Sequence, residues 1–90
     1  MKNSQLAENF AEGETKGNGN NMFIEGNTIY SYGHHFPIAV KMKDGSCIFN
    51  ADGYSVTTSK HKGYVRRALE SRGIHILEKP TERLIEESKK

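Results

Sequence analysis

A chain of 90 residues, 34% hydrophobic and 27% charged, with a formal net charge of +2 and a mean hydropathy of -0.73, has room for one small domain. No apolar stretch approaches the roughly 18 residues that a membrane span needs and the N-terminus has no secretory apolar core, so the chain reads as a cytoplasmic protein with no membrane partner. Cys47 stands alone, which excludes an internal disulfide, and beside four histidines it is too sparse for a closed zinc site, so neither a metal nor a cofactor is expected.

Residues 1–21 are rich in glycine and asparagine, and Met1, Leu6 and Phe10 are their large apolar residues. With no sustained period, this segment reads as a flexible, disordered leader. Leu6 and Phe10, four apart, could share one side of a short helix that orders on a partner. The folded unit is expected over 22–78, close to the lower size limit for independent folding, as a monomer or a homodimer.

Met22-Phe23-Ile24 and Thr28 to Tyr32 are strand formers separated by Glu25-Gly26-Asn27, which predicts a hairpin at the edge of a sheet. Gly33 predicts a bend, and Pro37, lacking a donor, predicts that the next strand begins just after it. Asp44-Gly45 between two alternating runs predicts a two-residue type I′ hairpin pairing Met42 with Cys47, Val40 with Phe49 and Ile38 with Ala51. A second turn at Asp52-Gly53 would extend the same apolar face onto a strand from Tyr54 to Thr57. The opposite face, with Ala39, Lys41, Ile48, Asn50, Ser55 and Thr57, would then be small or polar.

A helix is expected from Ser59 to Arg72, with Tyr64, Val65, Ala68 and Leu69 on one stripe and Gly73 at its C-terminal cap. Ile74 to Leu77 would form a short strand. Residues 79–90 read as a C-terminal tail, helical from Thr81 but frayed, because Leu84 and Ile85 are its only apolar residues. The fold class is therefore α+β, a small antiparallel meander with one main helix on one face.

Charge supplies the functional expectation. Residues 1–26 carry Lys2 and Lys16 against Glu8, Glu12, Glu14 and Glu25, net −2. Residues 57–73 carry Lys60, Lys62, Arg66, Arg67 and Arg72 against Glu70, net +4. A helix whose first turn reads Lys60-His61-Lys62 departs from the usual preference for carboxylates there, and with Thr58 or Ser59 as N-cap it would offer free amides to a phosphate. Thr58, Ser59, Lys60, His61, Lys62, Arg66 and Arg67 are accordingly the candidate contacts for DNA or RNA in a non-enzymatic nucleic-acid-binding module. The alternative is a protein-binding inhibitor or adaptor that engages a host protein through the open sheet face around Ala39, Ile48 and Thr57 or through an edge strand. A third possibility, phosphodiester cleavage by His34, His35 or His61, has no supporting spacing, so no catalytic residue is assigned. Tyr30 and Tyr32 are the tyrosines expected to be exposed, and Cys47 is expected to be a buried thiol.

The string Tyr30-Ser31-Tyr32-Gly33-His34-His35-Phe36-Pro37-Ile38-Ala39, then Asn50, then Tyr54-Ser55-Val56-Thr57-Thr58-Ser59-Lys60-His61, resembles a recurrent pattern in short phage and mobile-element proteins of unknown function. The resemblance implies a small viral or prophage-type protein and carries no activity with it. It draws attention to Tyr30, Tyr32, His34, Phe36, Tyr54, Ser55, Thr57, Thr58 and His61.

Overall fold

A computed structural model describes residues 1–53 and 55–89. The chain runs α1 (Asn3–Glu12), β1 (Lys16–Asn18), β2 (Met22–Glu25), β3 (Thr28–Ser31), β4 (Pro37–Lys41), β5 (Cys47–Asn50), α2 (Val56–Ser71), β6 (Ile76–Lys79) and α3 (Thr81–Ser88). It is an α+β fold. The strands form one sheet in the order β1-β2-β3-β4-β5-β6, antiparallel except for β5 and β6, which run parallel on either side of the α2 crossover.

Composition points to a flexible leader, but residues 3–18 form α1 and β1. Leu6, Ala7 and Phe10 recur on one face of α1 and are fully buried against Met22, Ile24 and the buried stripe of α2. Burying a leucine or phenylalanine contributes about 1.5–3 kcal/mol, enough to order a short helix that has little propensity of its own. Gly13, at φ 113, ends the helix by turning the chain toward β1.

The expected β2–β3 hairpin forms, but Glu25 joins the strand opposite Thr28, so the loop is the two residues Gly26-Asn27, with Gly26 at φ 66. The bend before β4 falls at Tyr32-Gly33, and β4 starts at Pro37 as expected. Ile38 is the extra residue of a bulge: Ile29 faces Ala39, but Tyr30 faces Pro37.

The β4–β5 hairpin is where the expected pairing fails. Lys41 faces Cys47, Val40 faces Ile48 and Ala39 faces Phe49, a slip of one residue. The loop holds three residues, Lys43-Asp44-Gly45, closed by Met42 N–H to Ser46 O at 2.8 Å with Gly45 at φ 92. Asp44 fixes this turn by accepting from the N–H and hydroxyl of Ser46 at 3.0 and 2.6 Å. Because side chains alternate, the slip sends Ala39, Cys47 and Phe49 to one face and Val40 and Ile48 to the other.

The second face is therefore neither polar nor open. Helix α3 covers it with Leu84, which is fully buried against Val40 and Ile48. A frayed tail was expected here; the fully buried leucine anchors a helix in its place. Asp52 starts this helix by accepting from the N–H and hydroxyl of Thr81 at 2.8 and 2.7 Å, so Asp52-Gly53 is not a hairpin turn. The expected third strand is absent among its described residues: Ser55 caps α2, its hydroxyl accepting from Thr58 N–H at 3.1 Å, and Val56 and Thr57 are already helical, while Tyr54 lies outside the described residues. At the other end Gly73, at φ 69, donates to Glu70 O and Ile74 donates to Leu69 O, the Schellman arrangement that the position of Gly73 implied.

Candidate functional site

The seven residues proposed from the sequence do not form one surface. The earlier N-cap at Ser55 pushes Thr58 and His61 onto the buried stripe of α2, where they are fully buried and 3% exposed respectively. His61 Nδ1 and Ser31 Oγ are joined at 2.7 Å, and Thr58 Oγ1 lies 3.4 Å from the same serine oxygen. Burial holds the His61 pKa below its ordinary value. These residues tie α2 to β3 and present nothing to a phosphate. Tyr32, held at φ 68, sets its exposed ring 5.7 Å from the imidazole. Tyr30, expected to be exposed, is buried and stacks on Phe23 at 5.0 Å.

The cations of α2 are largely engaged within the molecule. Lys62 donates to Asp52 O at 2.9 Å and, with Arg66, stands over the Phe49 ring, 5.6 and 4.7 Å from its centroid. Arg66 also pairs with Glu70 and Glu78, and Arg72 reaches Glu12 at 2.8 Å and Glu8 at 3.8 Å. The acidic first segment and the basic helix thus meet in space as α1 against α2. Ser59, Lys60 and Arg67 remain exposed on the outer side of the helix.

A concave surface lies elsewhere. Helix α3 is only eight residues long and leaves part of the sheet beneath it uncovered, a groove of about 890 Å³. Met42, Ile48 and Leu77 form its apolar floor. Lys43, Lys79 and Arg83 stand around its rim, while Lys41 lines it beside Met42 but sends its ammonium to the opposite face of the sheet. Two carboxylates share the rim, yet Asp44 is held by Ser46, which keeps its pKa below the ordinary range, and Glu87 lies 3.5 Å from Arg83. Lys41 lies partly over the Phe10 ring at 4.8 Å, and burial lowers its pKa. The groove cations Lys43, Lys79 and Arg83 come from the β4–β5 loop, β6 and α3, so no run in the sequence announces them.

Cys47 is buried on the core face, where burial pushes its thiol up to about 11, so it is no nucleophile at neutral pH. His34 stacks edge-on against Phe23 and Tyr30 and hydrogen-bonds Glu25. Among the described residues no group of three or more His, Cys, Asp or Glu side chains is placed to hold a metal, and no helix is long and apolar enough to cross a membrane. The chain matches no protein-family model, no curated protein and no solved structure, so these surfaces are interpreted from their own chemistry.

Proposed function

We propose that the chain is a protein-interaction module, of the inhibitor or adaptor kind that a small phage-encoded protein acting in the host cytoplasm would supply. It takes an acidic, apolar-bearing segment of its partner into the groove beside α3. The observation that carries this reading is an apolar floor of Met42, Ile48 and Leu77 inside a rim bearing Lys43, Lys79 and Arg83. A concave apolar surface with a few convergent polar groups is the usual form of a binding site, and one sign of charge around it selects partners of the other sign. This reading moves the interaction away from the basic helix, whose cations face the molecule's own carboxylates and Phe49.

The test is an NMR titration with an eight-residue peptide of two Val-Ser-Glu-Ser repeats, and with its valine–lysine counterpart. The acidic peptide should shift amides of 41–48 and 77–83 and the basic one should not. The double variant Lys43→Glu/Lys79→Glu should weaken binding about tenfold, a cost of about 1.4 kcal/mol. The reading fails if the acidic peptide shifts nothing. It fails equally if, at about 50 mM salt, a short duplex or single strand binds and shifts 58–67 while the groove stays silent.

A further inference from the structure

Strand β6 ends the sheet beside the groove, and its outer edge is open. Cys47 N–H donates to His75 O and Ala51 N–H donates to Lys79 O, both at 2.9 Å. Backbone groups alternate in direction along a strand, so residues 75, 77 and 79 address β5, and the N–H and C=O of Ile76 and Glu78 point outward. Among the described residues no hydrogen bond reaches those outward groups, and no further strand follows β6 in the sheet.

The side chains of β6 also alternate. Leu77, 42% exposed, and Lys79 face the groove. Glu78 faces the α2 side, where Arg66 lies 3.5 Å away and Lys62 shares the same hollow. The edge therefore has Lys79 and the exposed Leu77 on its groove flank, while on the other flank Arg66 is already paired with Glu78. Of the devices that protect an edge, β6 has shortness and two charged residues, Glu78 and Lys79, but no proline and no bulge, its pairing with β5 being regular over all four residues.

We propose that β6 is a template edge, and that the partner of this module enters as an extended strand hydrogen-bonded to Ile76 and Glu78. Its groove-side residues are apolar where they pass Leu77 and acidic where they pass Lys79. Backbone pairing supplies affinity in such strand addition and the alternate side chains supply specificity.

This inference rests on the groove being the peptide site, and the experiment separates the two. With the valine–glutamate peptide at saturation, hydrogen exchange at the amides of Ile76 and Glu78 should slow at least tenfold. The same peptide methylated at alternate backbone nitrogens should bind at least tenfold more weakly, because methylation removes the donors that a strand needs. If the peptide moves the Met42 and Ile48 methyl signals and exchange at Ile76 and Glu78 is unchanged, strand addition is wrong and the groove reading stands. If it moves neither, the groove reading itself falls. Protection of the two amides without peptide, rising with protein concentration, would assign the edge to a second copy of the chain and overturn the proposal.

Discussion

His61 on α2 and Ser31 on β3 are joined by a 2.7 Å hydrogen bond inside the core. Burial holds the imidazole pKa below its ordinary value. The unfolded chain therefore takes up a proton before the folded one does. Stability that is present above the ordinary histidine value is lost as pH falls through the depressed folded value. Asp44 and Asp52 also have lowered pKa values, but their effect begins only in the ordinary carboxylate range, which keeps the interval from about pH 6.5 to pH 5 clear of them. Urea midpoints should fall across that interval. A His61→Gln chain should be less stable at neutral pH by about 1–3 kcal/mol, through the altered partner left to Ser31, and should lose most of that pH dependence. Identical pH slopes in the two chains would refute the role given to His61.

Phe10 makes the first ten residues part of the core rather than an appendage. Replacing it with alanine should cost about 3–5 kcal/mol, a large part of the 5–15 kcal/mol that holds a typical domain together. Deleting residues 1–13 should unfold the domain, as read from dispersion of the NMR spectrum. A well-dispersed spectrum from the shortened chain would show that α1 is dispensable.

The elements legible in the sequence were those with a local signature. Gly26 and Gly73 sit at positive φ where a hairpin and a helix end were expected, and Val65, Ala68 and Leu69 line the buried stripe of α2. What was not legible depended on partners distant in sequence. Leu6 and Phe10 gave only one helical period, and their burial requires α2 and β2. Asp44-Gly45 fits a two-residue turn and a three-residue loop equally well by composition; the bonds from Ser46 to Asp44 select the longer one, which keeps Cys47 and Phe49 on the core face but exchanges Val40 for Ala39 there. Thr58 and His61 lie seven and four residues before Val65, on its helical stripe, so their burial could have been found by extending the period past their polarity. The groove was hidden because its floor and rim come from 41–48, 77–79 and 83.

Leu84 is the anchor of α3, and its loss should be disproportionate for so short a helix. Leu84→Ala should destabilise the domain by about 2–5 kcal/mol, because it opens a cavity over Val40 and Ile48. Ile85, half-buried beside it, should matter less when changed to alanine. Comparing the two variants by urea denaturation checks the assignment, and a larger loss at Ile85 would mean that α3 is rotated from the position described. The Leu84→Ala chain should also expose apolar surface around Ile48 and bind a hydrophobic dye more strongly than the parent.

Gly45 and Gly63 should respond to alanine in opposite directions. A Cβ would find open space at both, so backbone conformation alone decides the outcome. Gly45 lies at φ 92 in the hairpin loop, where an L side chain is strained, and Gly45→Ala should cost about 1–2 kcal/mol. Gly63 lies in the interior of α2, where glycine is the poorer helix former, and Gly63→Ala should stabilise by about 0.5–1 kcal/mol. Because Gly63 and Phe49 line the same hollow under Lys62, the gain should come without loss of the peptide binding assigned to the opposite face of the sheet. Thermal midpoints that move apart in this order would support both the positive φ of Gly45 and the continuity of α2 through residue 63. A stabilising Gly45→Ala would instead mean that residue 45 does not hold the positive φ that the loop gives it.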